Sequence, residues 1–229
     1  MTVWGMPMCG RFSVGVSATT LASHFNVQES VTWDGRYNLA PSQELLTVVQ
    51  PAEGTRQFRR MRWGLIPSWA KDLAIGNQLI NARAETVATK PAFRTALRER
   101  RCLIVTDGFY EWEARGRRKQ PWCIRMANGS PFAFAGLWDL WTDPEGKVIE
   151  SCTIITTTPN ELIGKFHHRM PVVVSPADYE RWLDPQLHDV EQLLPLLVPY
   201  PATEMITYPV SSLVNNPAND SPACQTPLG

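Results

Sequence analysis

The sequence predicts a single α+β domain, and three observations lead there. The chain has 229 residues, 44% of them hydrophobic and 19% charged, which is long and apolar enough for one good core. Runs rich in β-branched and aromatic residues, bounded by turn signals, recur along most of its length. These runs and the helical ones mix without regular βαβ alternation, which argues against a doubly wound parallel sheet.

Taken in order, Ser17 can cap a short helix running to Phe25. The segment 35–41 reads as a turn or loop holding a buried Asn38. Residues 45–49 and 57–63 read as strands. An amphipathic helix is expected over 91–101, with Phe93, Ala96, Leu97 and Arg100 at helical spacing and Pro91 near its first turn. An apolar strand over 102–106 follows. The clearest hairpin runs from Gly108 through a turn at 114–118 to Met126. Asn128-Gly129 is a strong turn signal before the apolar run 132–141, and Asp143 to Gly146 turns the chain into a β-rich run over 148–157. Short helices are expected over 176–183 and 189–197, with a last strand over 204–210. From Ser211 onward, Asn, Ser and Pro predict a surface-hugging or partly disordered tail.

Composition excludes several classes. Lys and Arg total 22 and balance 22 Asp and Glu, so bulk charge does not announce a nucleic-acid binder, although a local basic groove is compatible with it. No apolar run approaches the ~18 residues of a membrane span. The first residues lack a basic n-region and an apolar h-region, and the expected compartment is cytoplasmic. The five cysteines contain no C-x-x-C, which argues against a disulfide framework and a zinc site, and no metal or other cofactor is expected. Cys102, Cys123 and Cys152 lie in apolar runs and read as buried small hydrophobes. Cys224 reads as a free surface thiol.

Cys9 differs, because it follows Met8 directly. If Cys9 becomes a terminal residue, its thiol and α-amine sit on adjacent carbons and can condense with an aldehyde to a five-membered thiazolidine. Elsewhere, each candidate has a bland counterpart. Glu111, flanked by aromatics on a strand, suits a general acid or base, yet the segment alone favours a surface glutamate facing water. His167 and His168 are adjacent and seldom share a metal; one of them as acid/base or hydrogen-bond donor is the better functional reading. Asn81, Arg83 and Glu85 alternate and can hold a phosphate or sugar oxygen, or can be a turn with a surface salt bridge. Trp63 and Trp69 lie at either end of a Pro-stiffened loop and can stack bases, or pack in the core.

Together these segments resemble one family, the SOS-response-associated peptidases, which shield abasic sites in single-stranded DNA. The matching motifs are M-C-G-R-F at Met8, G-R-Y-N-L-A-P at Gly35, W-G-L-I-P-S-W at Trp63, L-I-N-A-R-A-E-T at Leu79, D-G-F-Y-E-W at Asp107, K-Q-P at Lys119, H-H-R-M-P at His167 and Y-P-V-S-S-L-V-N at Tyr208. They occur in the family's order from Met8 to about Pro222.

The resemblance implies a mixed, mainly antiparallel, barrel-like sheet with flanking short helices. It implies a leader over 1–7, a family domain over 8–222 and a tail over 223–229. It makes Cys9 the nucleophile that forms a thiazolidine cross-link with an abasic deoxyribose. Glu111 is then the proton shuttle, His167 the residue that assists proton transfer or polarises the sugar oxygen, and Asn81 the orienting residue. Arg83, Arg169 and Arg11 become DNA-backbone contacts, and Trp69 and Trp112 stack or wedge beside bases. The implied partner is single-stranded DNA with abasic sites, the implied state a monomer, nucleoid-associated when bound. Members usually begin at the methionine matching Met8, so either Met8 is the start here or Cys9 frees itself by attacking the Met8 carbonyl. A conventional cysteine peptidase using Cys9 and His167, and a noncatalytic single-strand-binding module, are the competing readings.

Overall fold

A computed structural model describes residues 10–29, 31–116 and 118–228. Cys9, Met8 and the leader over 1–7 lie outside the described residues.

In chain order the elements begin with β1 (Phe12–Val14), α1 (Ala18–Phe25), β2 (Arg36–Leu39), β3 (Glu44–Val49) and β4 (Gln57–Trp63). They continue with β5 (Asn81–Arg83), α2 (Arg94–Glu99), β6 (Arg101–Thr106), β7 (Gly108–Arg115) and β8 (Arg118–Met126). β9 (Phe132–Thr142), β10 (Val148–Thr157), β11 (Met170–Pro171) and β12 (Val173–Val174) follow. The last elements are α3 (Tyr179–Leu183), α4 (Val190–Leu193) and β13 (Met205–Pro209), with short 3-10 turns between several of them.

Five strands close into a barrel in the order β10-β4-β3-β6-β9, with β9 pairing back onto β10. The β4–β10 and β5–β10 pairs are parallel and the other pairs antiparallel, so the fold is the α+β, mainly antiparallel barrel expected. Closure removes the open strand edges that favour aggregation. Inside, Phe12, Phe109 and Phe132 each set a ring edge-on to Phe134 at 5.7 Å. A second sheet, β13-β8-β7-β1-β2, leans on the barrel. The chain passes from β6 to β7 through Asp107 alone. Its buried carboxylate accepts hydrogen bonds from Ser13 Oγ (2.7 Å), Gly15 N (3.0 Å) and Gln225 Nε2 (3.0 Å), which staples the two sheets together.

Local chemistry explains most boundaries. Ser17 caps α1, its hydroxyl accepting from Thr20 N at 3.2 Å, and Asn26 ends that helix at φ +52°. Gly64, at φ +120°, passes so close to Gly76 that a β-carbon there would stand 2.5 Å from a carbonyl oxygen.

Three expectations are corrected. The segment 35–41 contains a strand rather than a loop, because β2 pairs with β1 while the Asp220 carboxylate accepts from Tyr37 N (2.5 Å) and Asn38 N (3.0 Å). The helix expected over 91–101 starts at Arg94 and ends at Glu99. Lys90 and Pro91 form a turn before it, and the buried Arg101 guanidinium binds the carbonyls of Leu97, Arg98, Trp182 and Asp184 at the head of β6. The chain after Ser211 is packed: Val214 and Cys224 have no exposure, and Leu228 N donates to Pro209 O at 2.9 Å. Cys224 is therefore no surface thiol. We call residues 210–228 the C-terminal strap. Its Val210, Val214 and Cys224 cover Tyr110 of β7 and Cys123 of β8, and the five form a second apolar cluster.

Candidate active site

β10 is ten residues long and serves two purposes. Its first half closes the barrel against β9 and β4. Its second half gathers two short strands: β5 sets Asn81 level with Ile154 and Arg83 level with Thr156, and β11 sets Pro171 level with Thr156. The sequence held no periodic signal for strands of two or three residues. They form because β10 offers backbone groups that must be paired. Trp63, fully buried, donates from Nε1 to Ile80 O at 2.9 Å and so fixes the residue before Asn81.

Arg169 lies at this end of β10, just ahead of β11. Its guanidinium grips Glu85 with two bonds of 2.5 and 2.8 Å and donates to Thr156 O at 2.6 Å. It is buried, whereas Glu85 is about half exposed. The Arg169 hydrogen bond holds the Glu85 carboxyl below its usual pKa, while Arg83 adds a smaller pull in the same direction. Arg169, expected as a DNA-backbone contact, is here engaged with a carboxylate, and the ion pair of Glu85 is made with Arg169. Arg83 itself is exposed.

Arg169 N donates to His167 Nδ1 at 3.1 Å, which assigns the remaining proton of a neutral ring to Nε2. Burial, and then the neighbouring His168 stacked at 4.3 Å, lowers the His167 pKa below its ordinary 6.5. His167 is thus neutral at pH 7 and offers an Nε2–H donor.

Glu111 lies on β7 opposite Trp122 of β8. It is 5% exposed, so the surface reading is overturned. The Trp122 ring packs on Phe166 at 5.3 Å, which links the Glu111 strand pair to the His167 loop. β1 runs antiparallel to β7, with Phe12 level with Phe109, and Tyr110 N donates to Arg11 O at 3.0 Å. That register, extended two residues past Phe12, would bring Gly10, the successor of Cys9, level with Glu111.

The alternation of β7 turns Trp112 to the opposite face from Glu111. There Trp112 Nε1 donates to Asn215 Oδ1 at 2.7 Å, and the Arg11 guanidinium lies 5.9 Å from the Trp112 ring centroid. Arg11 also donates to Asn38 Oδ1 (2.9 Å) and Val214 O (2.6 Å). Trp69 is 58% exposed, but its loop is anchored by Ile66 N to Ser151 Oγ (2.8 Å) and Ser68 N to Asp139 Oδ2 (3.0 Å). That anchor lies on the barrel half of β10, roughly 16 Å along the strand from Thr156. The structure thus groups Asn81, Arg83, His167 and Arg169, joins Glu111 to them through Trp122 and Phe166, places Arg11 and Trp112 under the strap, and holds Trp69 apart.

Burial raises the thiol pKa values of Cys102, Cys123 and Cys152, Cys123 to about 12, so these thiols stay protonated and inert, as buried small hydrophobes do. Among the described residues, no three His, Cys, Asp or Glu side chains are grouped to hold a metal ion, and no helix is long and apolar enough to cross a membrane.

Comparison with known proteins agrees with this geometry. The profile of the family described as SOS response associated peptidase (SRAP) matches residues 8–217. The abasic site processing protein YoqW of Bacillus subtilis (strain 168) is 45% identical over 219 residues, covering 94% of this chain and 97% of its own. The abasic site processing protein HMCES of Gallus gallus is 30% identical over 264 residues, covering 96% of this chain and 78% of its own. A crystal structure of a protein from Bacteroides thetaiotaomicron superposes with a TM-score of 0.87 at 28% identity, covering 96% of this chain and all of that one. With its barrel, its motifs and most of its length matched, the chain belongs to the SOS response associated peptidase family.

Proposed function

We propose that this protein processes abasic sites in DNA, joining itself to the exposed sugar aldehyde through Cys9 and so shielding the lesion. One observation carries the reading. A strand carboxylate, Glu111, is buried at 5% exposure on β7, which pairs with β1, and the β1–β7 register, extended two residues past Phe12, leads to Gly10, the residue that follows Cys9. The relatives' shared designation as abasic site processing proteins supports the substrate class.

The chemistry follows from the residue types. Glu111 moves the proton of the closed sugar's C1′ hydroxyl to the ring oxygen, which opens the ring to its aldehyde. A free α-amine on Cys9, with a reference pKa of about 7.7–8.0, is partly neutral near pH 7 and attacks the aldehyde carbon. Water leaves, and a C=N bond forms. The thiol sulfur then adds to that carbon as its proton passes to nitrogen, closing the thiazolidine. Neutral His167 donates from Nε2 to the sugar oxygen. Asn81, on β5 beside the second half of β10, orients the sugar. Arg83 meets the DNA backbone directly; Arg11 adds charge beside Trp112, and Arg169 meets a phosphate by exchanging it for Glu85. Trp112 and Trp69 stack on bases of a single strand, at roughly 1–3 kcal/mol per base. The protein acts as a monomer in the cytoplasm, and release of Cys9 from a preceding segment, where one is present, uses the same Cys9, Glu111 and His167.

The test is a denaturing gel. Protein beginning at Met8 is mixed with single-stranded DNA carrying one abasic site and boiled in detergent. The reading predicts a shifted band that Cys9→Ala abolishes, and a much fainter band for protein that keeps residues 1–8. Binding without a shifted band would leave a single-strand-binding module. Cleavage of added peptides with neither binding nor band would leave a cysteine peptidase.

A further inference from the structure

We propose that Asn38 is a positioning residue: it seats the C-terminal strap on the strand after Cys9 and thereby sets where Arg11 and Trp112 meet DNA. The inference rests on the DNA reading above and extends it to a residue with no chemistry of its own.

Asn38 has no solvent exposure. Its Oδ1 accepts from Arg11 at 2.9 Å. Its Nδ2 lies within hydrogen-bond distance of three strap carbonyls, those of Val214 (3.2 Å), Asn216 (3.0 Å) and Asn219 (2.7 Å). A cation on one side and carbonyls on the other fix the orientation of the amide, because its two N–H bonds must face the carbonyls. No other side chain of this size answers both demands. Aspartate would set a carboxylate oxygen among three carbonyl oxygens, and leucine would leave all of them without the donor.

The strap passes this grip on to the site. Val214 O accepts from Arg11 at 2.6 Å, and the next residue, Asn215, accepts from the Trp112 indole at 2.7 Å. Arg11 and Trp112 also meet each other, with the guanidinium 5.9 Å from the ring centroid. Arg11 is two positions from Cys9, and Trp112 is one position from Glu111. One strap dipeptide therefore bridges the strand that leads from the nucleophile and the strand that carries the carboxylate. The apolar cluster beneath the strap would seat it without Asn38. The polar hub adds direction, and its reach is toward Arg11.

The test measures binding of the full chain to a single-stranded oligonucleotide carrying a tetrahydrofuran abasic analogue, which has no aldehyde and cannot cross-link. Asn38→Asp is compared with wild type, with Arg11→Ala and with the double variant. Asn215→Ala, a change at an exposed position, is measured beside them. We expect Asn38→Asp to bind about tenfold more weakly and to flatten the salt dependence by about 0.7, the share of one phosphate contact on a single strand. In the Arg11→Ala background it should add little. Asn215→Ala should weaken binding severalfold and move the Trp112 indole N–H resonance while melting as wild type does. Additive losses with an unchanged salt slope would make Asn38 merely structural and overturn the proposal. If Asn38→Asp does not fold, Asn215→Ala decides: wild-type affinity with an unmoved indole signal overturns the proposal. Wild-type protein that neither binds the analogue nor cross-links a natural abasic site would instead sink the DNA reading itself.

Discussion

The barrel interior and the layer under the C-terminal strap are built from opposite materials. Inside the barrel, phenylalanines and branched aliphatics pack against one another, and exchanging one apolar side chain for another of similar volume is tolerated. Under the strap, an apolar patch is ringed by directed bonds: Asn38 to three carbonyls, Asp220 to two backbone amides, Arg11 and Trp112 to consecutive strap residues. Apolar contact fixes that the chain folds. Directed hydrogen bonds fix where particular side chains stand, because they lose strength steeply with angle and distance. The reactive strand ends lie where the second kind of packing dominates.

The contrast can be broken in graded steps. The largest effect is expected from Glu111→Gln, which removes a proton shuttle: cross-linking to abasic single-stranded DNA should slow by roughly 100- to 10,000-fold in a single-turnover gel assay. Trp182→Ala acts on the barrel side, where the ring is fully buried and donates to Cys102 O at 2.9 Å. It should cost about 3–5 kcal/mol in denaturant unfolding yet leave the cross-linking rate of the folded fraction unchanged. Equal loss of rate would show that the two regions are not separable. Asp107→Ala falls on the border, since Asp107 ties β1 to the strap residue Gln225. It should cost roughly 2–3 kcal/mol and also slow cross-linking, the one change among these that moves both readouts.

The smallest effect is a pH trend. Burial lowers the pKa of His24 and of His167 below the 6.5 that each has when solvated. Between that value and the lower folded values, the unfolded chain binds more protons than the folded one. Stability should therefore be complete above about pH 7 and decline as pH falls through 6.5, by urea unfolding at closely spaced pH values. His167→Gln should shrink that decline. A decline unchanged in His167→Gln would assign the trend to His24 alone.

Much of the fold was legible in the sequence, and for identifiable reasons. The strand over 148–157 is legible to the residue because it is long, β-branched and preceded by a turn, and that over 57–63 because charged residues interleave with Phe58, Met61 and Trp63. The strands at Phe12, Asn81, Met170 and Val173 were not, since two or three residues carry no period and exist only through their partners. Alternation along β7 separated Glu111 from Trp112 correctly but could not tell whether the Glu111 face is covered, which depends on strands elsewhere in the chain. Glu85 and Arg169 are 84 positions apart, and only the meeting of β5 and β11 on β10 makes them a pair. Asn38 reads as buried in the sequence, but its four partners are Arg11, just ahead of β1, and three carbonyls of a strap that composition marks as a tail.

The most direct test of the central claim is the intact mass of the boiled adduct, followed by digestion and fragmentation to locate the modified residue. The adduct should weigh protein plus DNA minus one water, with the modification on a Cys9 whose amine and thiol are both consumed. A stable adduct mapped to a lysine, or an adduct that persists in Cys9→Ala, would contradict it.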